Sequence, residues 1–260
     1  MFEQYSVKGK SVLITAGASG LGLEIAKVFL EAGARVCISD VDRNGMQDAA
    51  QNHPELLTYY CDVAQEQDVD KLFEFVKEQF SGLDILINNA GVAGPTGYVE
   101  TLSKEDWDRC LAVNITGQFL CARRAVPLLK QSSEGVMINM SSIGGHMGFP
   151  GRAAYSSSKW AVVGFTKTLA IELGQHGIRV NAILPGAVEG PRIDAVIAAK
   201  AKTLGLPVEQ VHAEYVSNAA LKRMVSARDI ANMALFNASG AARSVTGQAL
   251  VVDGFTQMLV

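Results

Sequence analysis

Histidine and cysteine are scarce in this 260-residue chain, four of each, and neither shows a metal-binding pattern. Cys37, Cys61, Cys110 and Cys121 lack paired spacing and fall within expected strands or helices, which favours reduced, structural thiols over disulfides or zinc ligands. His53, His146, His176 and His212 have no ligand spacing either, so no catalytic metal is expected. An excess of one charge is also missing: 23 basic against 26 acidic side chains leave a net −3, without the basic footprint of a nucleic-acid binder. No apolar run approaches the length of a membrane span, and the opening MFEQYSVKGK lacks the apolar stretch of a signal peptide. The expected setting is therefore cytoplasmic, with neither membrane nor nucleic acid as partner. Charged residues make up 19% and hydrophobic residues 48% of the chain, which excludes disorder. No Pro/Gly/Ser-rich linker, repeat or low-complexity tract divides residues 1–260, so one domain is expected.

What is present is a regular alternation of strand and helix patterns. Strands are expected at Ser11–Thr15, Arg35–Ser39, Leu57–Cys61, Ile85–Asn88, Val136–Met140, Arg179–Leu184 and Ala249–Val252. Such alternation implies an α/β fold: a doubly wound, Rossmann-type single seven-stranded parallel sheet with helices on both faces. After the first strand, TAGASGLG (Thr15 to Gly22) leads into the helical run LGLEIAKVFLEAG, which Gly33 closes. Glycines between a strand and a helix form either a tight turn or a close approach to a pyrophosphate, whose charge the helix N-terminus favours. Asp40 ends the second strand, where a carboxylate accepts hydrogen bonds from adenosine ribose hydroxyls and repels a 2′-phosphate. Arg43, nearby, is expected to begin the next helix as a solvated charge. The expected cofactor is NAD.

In Met140 to Lys159, MSSIGGHMGFPGRAAYSSSK, Ser142 precedes Tyr155 by thirteen residues and Lys159 follows it by four. The apolar spacing beyond (Trp160, Val163, Phe165, Leu169, Leu173) is helical, so Tyr155 and Lys159 share one helix face, one turn apart. A phenol titrates at roughly 10 and is a poor base near neutrality, whereas a nearby ammonium favours its anion. Ser142, at the end of a strand, offers a hydroxyl to a substrate oxygen. By itself Tyr-x-x-x-Lys is equally a solvated pair on a surface helix.

Taken with the rest of the chain, this constellation resembles the short-chain dehydrogenase/reductase family in its compact single-domain branch. The resemblance implies a general acid/base role for Tyr155, a lysine at Lys159 that favours the phenolate and holds the nicotinamide ribose, and substrate orientation by Ser142. It adds Asn114, in AVNITGQF, which would bend a helix running from Lys104 to Gln131 and hold a water in a proton relay. The family's T-G-x-x-x-G-x-G pattern is matched by Thr15, Gly20 and Gly22, with Ala16 in place of its first glycine; Gly17, Ser19 and Leu21 complete the expected loop. Asp62 and Val63 match its pair beside adenine, although Asp62 equally suits a cap for the helix starting near Glu66. Asn88 to Gly91 match its Asn-Asn-Ala-Gly, assigning Asn89, Ala90 and Gly91 to the cofactor cleft. Pro185, Gly186 and the backbone at Val188 fall at the nicotinamide, and Gly190 stands where a threonine is common.

Residues 187–221 correspond to a substrate lid. Its polar members, Glu189, Arg192, His212 and Tyr215, are substrate candidates or solvent-facing side chains, and His146, Met147 and Phe149 shape the pocket or merely pack. Arg192 would suit an anionic substrate. The implied activity is reversible hydride transfer between NAD and a secondary alcohol or ketone, with a sugar, polyol or hydroxy acid as the small-molecule substrate. The alternatives are a 3-oxoacyl thioester (acyl carrier protein) reductase and a non-catalytic nucleotide-binding regulatory protein on the same fold. A homotetramer is expected from the resemblance.

Overall fold

The structure is a computed structural model and describes residues 3–258. Seven strands form one sheet in the order β3-β2-β1-β4-β5-β6-β7, parallel throughout. They are β1 (Ser11–Thr15), β2 (Arg35–Asp40), β3 (Leu57–Tyr60), β4 (Ile85–Asn88), β5 (Val136–Met140), β6 (Arg179–Pro185) and β7 (Ala249–Val252). The helices are α1 (Gly20–Glu31), α2 (Arg43–Asn52), α3 (Glu66–Phe80), α4 (Lys104–Leu111), α5 (Gly117–Leu129), α6 (Ala153–Gly174), α7 (Pro191–Leu204), α8 (Val208–Ser217) and α9 (Ala227–Ala238). Three strand ends differ by one residue from expectation. Asp40 extends β2 by pairing with Tyr60, Cys61 falls outside β3, and Pro185 ends β6 opposite Val252. A proline lacking its N–H is tolerated at that last position, where the next donor, Gly186 N, bonds Val252 O at 3.0 Å.

The strands are buried on both faces, and alternation assigns their side chains to two cores. Val12, Ile14 and Ile38 pack with Ile25 and Phe29 of α1 and Ile230 and Ala234 of α9. Leu13, Cys37, Leu86 and Met137 face the other way, onto Leu72 and Phe73 of α3 and Cys121 and Leu129 of α5. A third, smaller cluster joins Ile197 and Ala201 of α7 to Val211 and Tyr215 of α8 and to Met224.

The expected Lys104 to Gln131 helix is interrupted. Between α4 and α5, Ala112–Thr116 forms a π-helical turn, whose wider pitch inserts an extra residue and redirects the axis. Gly117 opens α5 because a Cβ there would lie 2.8 Å from Val63 Cγ2. On α6 the buried stripe includes Ser158, Lys159, Val162, Thr166 and Ala170, while Trp160 is 50% exposed. Trp160 thus stands off the face to which its spacing assigned it.

Candidate active site

Strand order reverses between β1 and β4, so the loops after these strands diverge and leave a crevice at their C-terminal ends. The crevice is a cavity of about 740 Å³ running from Asp40 and the α1 N-terminus to Tyr155, Phe149 and Tyr215.

Buried polar side chains fix its floor. Thr15 Oγ1 accepts from Asn89 N and Ala90 N at 3.1 and 2.9 Å, and Asn89 Nδ2 donates to Thr15 O and Ala16 O at 3.0 and 2.9 Å. Asn88 Nδ2 donates to Asn139 Oδ1, and Asn139 Nδ2 to Thr166 Oγ1, tying β4 to β5 and α6. Asn114 clamps the backbone of Val92 from the π turn: Oδ1 accepts from Val92 N at 2.7 Å and Nδ2 donates to Val92 O at 3.1 Å and Ser158 Oγ at 3.0 Å.

Ser142, Tyr155 and Lys159 all line the cavity. Ser142 Oγ accepts from Gly144 N at 3.1 Å, which fixes the turn after β5. Lys159 Nζ donates to Met140 O at 2.8 Å and stands 5.7 Å from the Tyr155 ring centroid. Burial, reinforced by the Arg192 charge, pushes its pKa down to about 7.

Most of the expected cofactor residues line the same cavity: Ser19, Gly20, Leu21, Gly22 and Asp40 on one flank, Asp62, Val63, Asn89, Ala90 and Gly91 beside them, and Pro185, Gly186 and Val188 after β6. Thr15, Gly17 and Asn114 lie behind the wall. The positive φ of the turn falls on Ala16, at 52°, and not on Gly17, which is glycine because a Cβ would approach Ile38 Cγ2 to 2.5 Å. Asp62 does not cap α3, whose N-cap is Gln65; its Oδ1 accepts from Ala64 N and its Oδ2 pairs with Arg109 at 3.4 Å. Gly190 has φ 132°, a backbone that excludes the threonine common at that place. Among the substrate candidates, Phe149, Glu189, Arg192 and Tyr215 line the cavity, whereas His146 and His212 are exposed and outside its lining. Arg152, which the sequence did not single out, lines it as well and is only 4% exposed.

Residues 15–255 match the model of the family described as Enoyl-(Acyl carrier protein) reductase. Momilactone A synthase from Oryza sativa subsp. japonica is 39% identical over 251 residues, which cover 95% of this chain and 89% of that protein. The chain belongs to the short-chain dehydrogenase/reductase family. D-beta-hydroxybutyrate dehydrogenase from Cupriavidus necator is a further relative at 33% identity, covering 95% of this chain and 98% of its own. The crystal structure of NAD+-bound xylitol dehydrogenase superposes with a TM-score of 0.92 at 28% identity, covering 95% of this chain and 99% of that one. As a short-chain dehydrogenase/reductase, the protein is an oxidoreductase that works with NAD(P) on a CH–OH/C=O pair.

The residues present fit a dinucleotide. A Cβ on Gly22 would lie 2.1 Å from Ala16 O, so the loop closes on the helix only with hydrogen there. No side chain caps α1 at Ser19, which leaves its first N–H groups facing the cavity for an anion. The Asp40 carboxylate is held by Ala18 N, Val41 N and Asp42 N at 3.0, 2.7 and 3.1 Å, and this orientation is set before any ligand arrives.

Proposed function

We propose that the protein oxidises a polar secondary alcohol, a sugar, polyol or hydroxy acid, with NAD as hydride acceptor. The observation that carries this reading is the convergence of Ser142, Tyr155 and Lys159 in one cavity whose other end presents Asp40. Ser142 Oγ holds the substrate oxygen, and Tyr155 takes the hydroxyl proton as the carbon gives up hydride. When bound, NAD supplies the electron sink. Lys159 holds the nicotinamide ribose and favours the phenolate when protonated. Asn114 keeps the Val92 backbone and the π turn in register, so that the turn's main chain can hold a water leading to Lys159.

NAD over NADP is supported by the fixed Asp40 carboxylate, which would face a 2′-phosphate with like charge. Arg43, the first residue of α2, lays its guanidinium 3.9 Å from the Tyr60 ring centroid and lies outside the cavity lining. A homotetramer, and residues 187–221 as a substrate lid on a single domain, complete the reading.

Initial rates with NAD and with NADP against sugars, polyols, hydroxy acids and simple alcohols test it. Tyr155→Phe should retain NAD binding by calorimetry and lose at least a hundredfold in kcat, the scale of general acid/base catalysis. Unchanged turnover would remove Tyr155 from the chemistry, and NADPH-dependent reduction of an acetoacetyl thioester with no NAD-linked oxidation would replace the substrate class and the cofactor together.

A further inference from the structure

Arg152 is the N-cap of α6, three residues before Tyr155, and is 4% exposed. Its guanidinium carbon lies 4.8 Å from the Tyr155 ring centroid and 5.2 Å from that of Phe149. One terminal nitrogen donates to Ala93 O at 2.7 Å, while Nε is buried with no partner. Tyr215 from α8 is 8% exposed and lines the same cavity, and its buried hydroxyl is unpartnered too. Arg192 stands at the rim, where it donates to Gly91 O at 3.1 Å. Among the described residues neither arginine has a carboxylate within 4.0 Å, and Glu189, which also lines the cavity, is exposed.

A guanidinium taken out of water without a counter-charge is costly, and the cost is recovered only by a partner of opposite sign. Burial lowers the Arg152 pKa from its ordinary value, the direction of a cation that lacks an anion. The two aromatic rings and the Ala93 carbonyl hold the guanidinium still, which suits the planar, two-toothed recognition of an oxyanion. Its contact with the Tyr155 ring also limits how far the bound charge can lie from the carbon under attack.

We propose that Arg152, with the Tyr215 hydroxyl beside it, is the seat of a carboxylate or similar compact oxyanion carried by the substrate itself. Resting on the dehydrogenase reading, this narrows the polar alcohol to a short-chain hydroxy acid whose hydroxyl and charge are separated by few carbons. Arg192 at the rim adds charge that draws the acid in.

The test pairs acids with neutral partners of similar shape: lactate with 1,2-propanediol, and 3-hydroxybutyrate with 1,3-butanediol. Wild-type protein should favour the acid by at least tenfold in kcat/KM. Arg152→Gln should lose at least tenfold more on the acid than on its neutral partner, through KM, with the KM for NAD unmoved. Tyr215→Phe, a milder change that removes only the oxygen, should shift the same ratio several-fold. Equal losses on acid and neutral partner in both variants, or wild type without preference for the acid, would overturn the seat.

Binding of butyrate to the NAD-saturated protein, followed by saturation-transfer NMR, separates this result from the reaction. Butyrate signal in the wild type that disappears in Arg152→Gln sustains the seat even if no alcohol turns over, in which case the dehydrogenase reading alone falls. Absence of signal in the wild type rejects the seat whatever the turnover.

Discussion

An amine buried as Lys159 is buried makes stability depend on pH. The unfolded chain keeps that proton up to the ordinary lysine value of 10.5, while the folded chain releases it near 7. Between these values unfolding takes up a proton, so stability rises with pH; below about 7 both states are protonated and the cost of burying the charge is felt in full. From pH 7 to 9 the gain should be on the order of 2 kcal/mol. Denaturant melts at the two pH values should show that rise in the wild type and a flatter profile in Lys159→Met; equal slopes would mean that Lys159 stays charged in the fold. At this scale the sequence was informative about placement and poor about burial. That Ser142, Tyr155 and Lys159 line one cavity was legible from residue type and spacing. Arg152 was not: three residues before Tyr155 is also helical spacing, but arginine is ordinarily a surface residue, and only the packed rings of Phe149 and Tyr155 show that this one is inside.

Strands were legible to within a residue because the parallel sheet makes them continuously apolar. What escaped depended on contacts between elements. That Asn114, Thr116 and Gly117 are poor helix formers was visible, but the π turn exists because Asn114 reaches Val92, twenty-two residues away in sequence. The conformation of Ala16 was likewise hidden, since it follows from the fit of Gly22 and Asn89 against its carbonyl. Helices α7 and α8 pose a different question. They share a cluster of their own, tied down at Ala187–Val188 and Val225 and by the bridge of Ala219 to Thr256. A unit with a private core can open without the sheet. Val211 is fully buried there, and Val211→Ala should cost about 1–2 kcal/mol through the two lost methyl groups. Hydrogen exchange should then quicken in residues 191–217 with little change in β1, β4 and β5; uniform quickening would show that the pair opens only with the whole protein.

For the whole molecule, part of the exposed apolar surface lies on α5 and α6. Trp160 and Ile171 of α6 and Phe119 of α5 are 50%, 83% and 44% exposed. Exposed apolar side chains on neighbouring helices suit subunit contact, and the proposed homotetramer would cover them. Sedimentation velocity should give a tetramer for the wild type and smaller species for Ile171→Lys; a monomeric wild type would reject the assembly.

The four cysteines, all free and buried, have a practical consequence. Burial pushes Cys37 and Cys61 up to about 12 and Cys121 upward too, so in the native protein their thiolate fraction is small and alkylation is slow. Each modification therefore records one opening event. Cys61 borders the dinucleotide cavity and Cys121 sits in the centre of α5, so their separate labelling rates, read by mass spectrometry, form two native clocks: one for breathing of the cleft, the other for unfolding of the sheet.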